Sequence, residues 1–261
     1  MTALRRLLPV GAGFLFIGVW YAVHFSLTAG QRYSLPRPDA IVQAFGDEGS
    51  VLWAATLNTA LGALAGFLSA IAISSVAALL LALSPLIRAS FYPYLMMLQM
   101  TPIIVLAPIL ILWTGPGFIS VTVITFLICF FPMVVNTTQG LISTDRNLVD
   151  FFRMNRATRA QELFLLRVPS ALPYFFTGLR IAATLAPIGA IVGDIYAGNS
   201  AGGRGGLGFQ TIIYSAQFKI PALFATAFAS CVLGFIFVGT VVALHWLLLH
   251  KWHDAFNRTD T

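Results

Sequence analysis

Leu148–Pro169 reads LVDFFRMNRATRAQELFLLRVP and stands between two long apolar segments near the middle of a very hydrophobic chain. Holding one Arg at the centre of a bilayer costs about 2.5–3.5 kcal/mol, and this stretch carries Arg153, Arg156, Arg159 and Arg167. It belongs outside the hydrocarbon, as one structured loop that a membrane protein presents to a partner.

The flanks fix the class. Of 261 residues, 58% are hydrophobic and 9% charged, with mean hydropathy +0.87. A soluble domain carries about 25% charged residues, so this composition cannot build a water-facing surface. Apolar runs recur at roughly 20 residues, the length that crosses a ~30 Å hydrocarbon core. They do not alternate with the period of two that barrel strands require. The expected fold is all-α: one polytopic membrane domain over 1–261, with six transmembrane helices and a cytoplasmic loop at 139–174.

The spans expected are Pro9–Leu27, Leu57–Leu83 after an amphipathic lead-in at Val51–Thr56, Phe91–Trp113, Phe118–Thr138, Phe175–Ala197 and Ala222–Leu249. The basic start resembles a signal peptide but lacks a small-x-small cleavage site, so it reads as a retained first helix. Six crossings place Arg5, Arg6, Arg88, Arg146, Arg153, Arg156, Arg159, Arg167, Lys251 and Arg258 on one side. Arg32, Arg37, Arg204 and Lys219 fall on the other. That asymmetry puts both termini in the cytoplasm. It also accounts for the formal charge of +6 without nucleic acid, for which no motif is present.

Span three carries Pro93, Pro102 and Pro108. Interior prolines kink helices, either beside a translocation path or for packing alone. Gly62, Gly66 and Ala70 in span two allow close helix approach, within the chain or against a second subunit. Cys129 and Cys231 read as small buried hydrophobes, with no metal or disulfide spacing.

In the loop, Ser143, Thr144 or Asp145 caps a helix starting near Arg146. It brings Leu148, Phe151, Phe152 and Asn155 to one side, with Arg153, Arg156 and Arg159 elsewhere. A second short helix, Ala160–Arg167, carries Leu163, Phe164 and Leu166 until Pro169 stops it. Phe151 and Phe152 require burial by the membrane interface, by the protein's own helix ends or by a partner's groove.

Four segments together resemble the permease subunits of bacterial ATP-binding-cassette importers, in the branch handling nitrate, sulfonates, taurine and vitamin precursors. They are SLPRPDAIVQAF, LQMTPIIVLAPILILWTGPG, LVDFFRMNRATRAQELFLLRVPSALPYFFTGLRIA and GDIYAGNSAGGRGGLG. The resemblance runs from Leu35 to the end of span six. It implies a bacterial inner-membrane subunit that is no enzyme and holds no cofactor or metal. The implied partners are a second copy, two cytoplasmic ATPases and a periplasmic binding protein, and the cargo is a small solute. FTGLRIAATLAPIGAIVGDIYAG is similar to importers of thiamine pyrimidine precursors or flavins, with sulfonate, taurine and nitrate carriers as close competitors.

By this resemblance Asp150, Phe151, Phe152, Asn155, Arg156, Ala157, Arg159 and Pro169 engage the ATPase. The family loop opens on glutamate, alanine, alanine, with a glycine several residues on. Here Asp150, Phe151 and Phe152 stand first, and Arg156 occupies the glycine's place. Arg156 is expected to be unable to take the left-handed conformation open to glycine, so the turn or the partner's pocket must differ.

Asp194 closes span five. An intramembrane carboxylate marks a pathway, pairing or gating position by default, with interfacial water as the alternative. Gln99, Thr101, Asp194 and Tyr196 are the expected translocation-path residues. Asn58 and His24 are milder intramembrane polar residues, and His245 reads as a packed histidine. AGNSAGGRGGLGFQ lacks the GK[ST] ending of a nucleotide loop and reads as an external turn, with Arg204 available to a partner. A proton-coupled secondary transporter would need inverted repeats and paired broken helices. A membrane enzyme would need a concentrated catalytic set, which His24, His245, His250 and His253 do not form.

Overall fold

The computed structural model describes residues 2–198 and 205–249, and every regular element among them is helical. In chain order these are α1 (Thr2–Ser26), α2 (Ala29–Arg32), α3 (Pro38–Asp47), α4 (Gly49–Leu83), α5 (Pro85–Gln99), α6 (Ile103–Thr114) and α7 (Phe118–Ile142). They continue as α8 (Arg146–Met154), α9 (Arg159–Gln161), a π-helical segment (Glu162–Arg167), α10 (Val168–Ala197), α11 (Leu207–Ala216) and α12 (Ile220–Leu249).

Among the described residues, four helices are long and apolar enough to cross a membrane: Gly49–Leu83, Phe118–Ile142, Arg159–Ala197 and Ile220–Leu247. The pair α5 and α6 makes a fifth, bent by 102° at its break. The described apolar part of α1, Val10–Ser26, is shorter. Each expected span thus falls on a helix, with three corrections.

The lead-in at Val51–Thr56 is not separate from span two, because α4 runs unbroken from Gly49. Span three is not one kinked helix. Pro93 and Pro108 lie inside helices, whereas Pro102 caps α6 in an extended conformation. A proline also disfavours helical geometry in the residue before it, so the chain breaks at Thr101. Finally, Pro169 does not stop the second loop helix. It lies in the first turn of α10, where its missing N–H costs little, and the π-helical segment carries the helix through from Arg159 to Ala197.

The core is a three-helix sandwich with α7 in the middle. A Cβ on Gly62 of α4 would meet Val121 Cγ1 at 2.7 Å, and one on Gly66 would meet Thr125 Cβ at 2.5 Å. From the other side, a Cβ on Gly189 of α10 would meet Thr125 Cα at 3.0 Å and one on Gly193 would meet Val121 Cα at 2.9 Å. Two small-residue pairs therefore grip the same two residues of α7. The Gly62/Gly66 pair serves packing within the chain, and close backbone approach supplies the dispersion contact that lipid cannot. Ala70, Cys129, Met133, Ala182 and Ala183 continue this core. Cys129 is buried as expected, but Cys231 lies exposed on α12.

α1 is tied to the segment after it. Trp20 Nε1 donates to the Pro36 carbonyl at 3.0 Å, Tyr21 donates to Asp39 at 3.1 Å, and His24 Nδ1 lies 2.6 Å from the Leu35 carbonyl. His245 stacks on Phe176 with ring centroids 4.8 Å apart.

Candidate functional site

The loop after α7 is a clamped unit. Asp145 caps α8 by accepting from the Asn147 N–H at 2.8 Å. The helix ends in a Schellman motif: the Ala157 N–H reaches the Phe152 carbonyl and the Arg156 N–H reaches that of Arg153, both at 3.0 Å. The motif needs a left-handed residue, usually glycine or asparagine. Arg156 fills it with φ +57°. The expectation that arginine could not take this conformation is therefore wrong, and the turn between the two helices is kept. Thr158 and Gln161 then form a capping box that starts the next helix.

Glu162 holds these pieces together. One carboxylate oxygen accepts from Arg167 Nη2 at 2.6 Å and Nε at 2.8 Å, and the other accepts from Arg153 Nε at 3.2 Å. Arg167 also donates to the Leu141 carbonyl at 3.3 Å, at the end of α7. α8 is thereby fastened to the feet of both α7 and α10. Nothing in the sequence reading singled out Glu162, since one acid in an amphipathic stretch looks like a solvated surface charge.

The fastening decides which face of α8 is left open. Val149 is buried and Phe152 half-buried, while Leu148, Phe151 and Met154 are exposed, Phe151 at 61% and Met154 at 83%. Leu148, Phe151 and Phe152 therefore do not all share one burial fate. Asp150, Asn155, Arg156 and Arg159 are exposed and Ala157 half-buried. Asn155 Nδ2 donates to the Phe151 carbonyl at 2.9 Å. Pro169 is half-buried in the helix below.

At the opposite end, Asp194 is 5% exposed. It accepts from the Thr59 hydroxyl at 2.6 Å and from the Gly208 N–H, and Thr59 Oγ1 itself accepts from the Leu207 N–H at 2.8 Å. A carboxylate and a hydroxyl thus satisfy the first N–H groups of α11, where negative charge is favourable. A Cβ on Gly206 would collide with the Asp194 carboxylate, so only glycine fits there. A cavity of about 230 Å³ beside it is lined by Asn58, Gly117, Asp194 and Gly206 among others.

Of the four expected path residues, only Asp194 lines this cavity. Gln99 is exposed at the end of α5, Thr101 sits at the break, and Tyr196 is 44% exposed on another face of α10. The Gln99 side chain makes no hydrogen bond among the described residues. α10 also bears an exposed face of Tyr174, Thr177, Arg180 and Thr184 within its apolar length. The spacing of three and four residues was visible in the sequence, but the surrounding alanines and leucines masked it. Arg204 lies outside the described residues, as do His250, Lys251, His253 and Arg258. Among the described residues, no group of three or more His, Cys, Asp or Glu side chains could hold a metal ion.

Residues 70–251 match the family described as binding-protein-dependent transport system inner membrane component. The chain belongs to this family. It is a multi-pass inner-membrane permease of the ATP-binding-cassette importer class, in the branch to which the sequence resemblance pointed. The formylaminopyrimidine transport permease protein of Halalkalibacterium halodurans is 37% identical over 84% of this chain and 86% of its own length. A probable ABC transporter permease protein of Haemophilus influenzae is 34% identical over 94% of this chain and 95% of its own. The riboflavin transport system permease protein of Chloroflexus aurantiacus is 31% identical over 91% and 87% respectively.

Proposed function

We propose that this permease pairs with a second copy of itself and two cytoplasmic ATPases to import a small vitamin precursor of the aminopyrimidine class. A periplasmic binding protein delivers the cargo. Both termini lie in the cytoplasm, and the unit spanning 139–174 is the coupling loop. The exposed Leu148, Phe151 and Met154 edge of α8, clamped through Glu162 to α10, is the observation that carries this reading. Asp150, Phe151, Phe152, Asn155, Arg156, Ala157 and Arg159 form or shape the docking surface, and Pro169 lies in the helix that transmits its motion.

An apolar helix face presented beside charged residues fits a groove in a soluble partner. Once the ATPases hold it, their closure on ATP pulls α8. The Glu162 clamp carries that movement into α10 and α7, shifting the balance between two states of the bundle. The charge distribution supports a cytoplasmic site. Arg37 pairs with Asp39 at 2.9 Å and Lys219 with Glu48 at 2.6 Å, whereas Arg88, Arg146 and Arg159 form no ion pair among the described residues.

The path runs along the exposed faces of α5, α6 and α10. α5 buries no residue and α6 buries only Ala107. Polar groups such as Gln99, Thr101, Arg180 and Thr184 are costly against lipid, which supports their facing a second copy or the cargo. Tyr196 joins this surface near its outer end, and Asp194 holds the outer loop in register beside it. The pyrimidine class is favoured by the extent of likeness. The sulfonate permease protein of Bacillus subtilis is 28% identical over 63% of this chain, against 37% over 84% for the formylaminopyrimidine permease.

Proteoliposomes containing the full chain, the ATPase and the binding protein encoded beside it test this directly. Labelled formylaminopyrimidine should enter only with ATP and all three components, ahead of riboflavin or an aliphatic sulfonate. Uptake by the chain alone, or preference for the sulfonate, would overturn the corresponding part of the reading.

A further inference from the structure

At the arginine-rich end lies a cavity of about 610 Å³, within the range of small-molecule sites. Its charged lining comes from four elements: Arg88 of α5, Arg146 and Arg153 of α8, Arg159 of α9, and Glu162 and Arg167 of the π-helical segment. Glu162 is spent on Arg153 and Arg167. Arg88, Arg146 and Arg159 converge without an acidic partner among the described residues. Three guanidiniums lining one concavity suit a multivalent anion, and phosphate oxygens match their fork geometry.

A second cavity of about 240 Å³ is nearly all apolar, lined by Leu79, Leu141, Phe164, Val168, Leu172 and Phe175 among others. It shares α4, α7 and the π-helical segment with the basic pocket, at neighbouring positions, and α10 supplies the rest of its lining. Leu79 precedes Ala82 of α4 by three residues, Leu141 adjoins Ile142 of α7, and Phe164 adjoins Leu163. The Thr137 hydroxyl in this lining is buried without a hydrogen-bond partner. A basic pocket at the ends of spanning helices, with an apolar groove beside it, has the two halves of a phospholipid site.

We infer that this pair of cavities binds an anionic phospholipid, its phosphate held by Arg88, Arg146 and Arg159 and an acyl chain lying against Leu79, Phe164 and Val168. The lipid bridges α4, α7 and the coupling segment. The inference does not depend on the cargo; it shares Arg159 with the proposed docking surface, and the variants below leave that residue intact.

Purified full-length chain in detergent, titrated with phosphatidylglycerol or phosphatidylcholine and followed by native mass spectrometry, tests it. Phosphatidylglycerol should be retained preferentially. R88Q/R146Q should lose roughly fivefold in affinity for each charge removed, and R88K/R146K should lose much less. Val168→Trp, which fills the groove, should weaken phosphatidylglycerol binding. Inorganic phosphate should displace the lipid only at far higher concentration. Should the double variant fail to fold, R88Q alone carries the same test at about fivefold.

Equal retention of both lipids, or unchanged retention by R88Q/R146Q, would overturn the inference. Phosphate binding as tight as phosphatidylglycerol would reassign the pocket to a free anion. Loss of ATPase capture by R88Q/R146Q with lipid retention intact would reassign it to a protein surface.

Discussion

Glu162 accepts two hydrogen bonds from Arg167, at 2.6 and 2.8 Å, on one oxygen and leaves the other for Arg153. One carboxylate thereby joins α8 to the helix that crosses the membrane. Glu162 is 7% exposed and Arg167 is mostly covered, while the Arg153 side chain is 60% exposed. The Arg167 contact therefore carries most of the energy, and the Arg153 contact chiefly fixes the angle of α8.

Replacing Glu162 with Gln should lower stability by about 1–3 kcal/mol, the cost of leaving a covered charged partner unsatisfied. Transport should fall more steeply than ATP hydrolysis by the assembled complex, because α8 would still dock but no longer drag α10. Melting in detergent and paired uptake and hydrolysis assays check both. Equal losses in uptake and hydrolysis would contradict the lever role.

Arg156→Gly should stabilise the chain by about 1 kcal/mol, because glycine takes the left-handed conformation without the Cβ penalty. The readout is the unfolding midpoint in denaturant. Destabilisation would mean that the arginine side chain contributes more than its backbone strain costs.

Gly66→Leu and Gly193→Val should each cost about 1–3 kcal/mol or more through overpacking against Thr125 and Val121. Gly234→Ala is the internal control. A Cβ there meets nothing within 4 Å, so this change carries no overpacking cost and should instead stabilise by roughly 0.5–1 kcal/mol, the helix preference for alanine over glycine.

The corner where Lys219 meets Glu48 has its own pH dependence. The hydrogen bond from Lys219, aided by that ammonium's charge and the Tyr214 hydroxyl, holds the Glu48 carboxyl below its ordinary 4.5 against the opposing effect of burial. The unfolded chain then takes up the proton at a higher pH than the folded one. This stability is present above pH 4.5 and is lost as the pH falls from there through the folded value. Burial, with the Glu48 charge, pushes Tyr214 up to about 12, so it stays neutral throughout this window. Melting curves from pH 6 to 3 should show the loss in the native chain and a smaller one in Lys219→Met.

The helical spans were legible because a run of about 20 apolar residues admits few other structures. What escaped notice depended on partners distant in sequence or on local geometry. Asp194 was legible as a pathway, pairing or gating position or as an interfacial charge, but its partner was not: Thr59 stands 135 positions away, and the start of α11 meets it too. Pro169 looked like a stop because hydropathy does not reveal that a π-helical segment precedes it and puts it in a tolerant first turn. Arg156 broke the family's glycine pattern, yet the hydrogen bonds of the motif around it keep the same turn. Gly189 and Gly193 escaped because α7, the helix they approach, could not be named from sequence.

The most direct test of the account is sided labelling of Met154→Cys in a background lacking Cys129 and Cys231. A membrane-impermeant thiol reagent should reach this position in inside-out vesicles and not in intact spheroplasts, and added ATPase should protect it. Labelling from the outer face, or no protection by any ATPase that supports transport, would contradict α8 as the site where the motor engages.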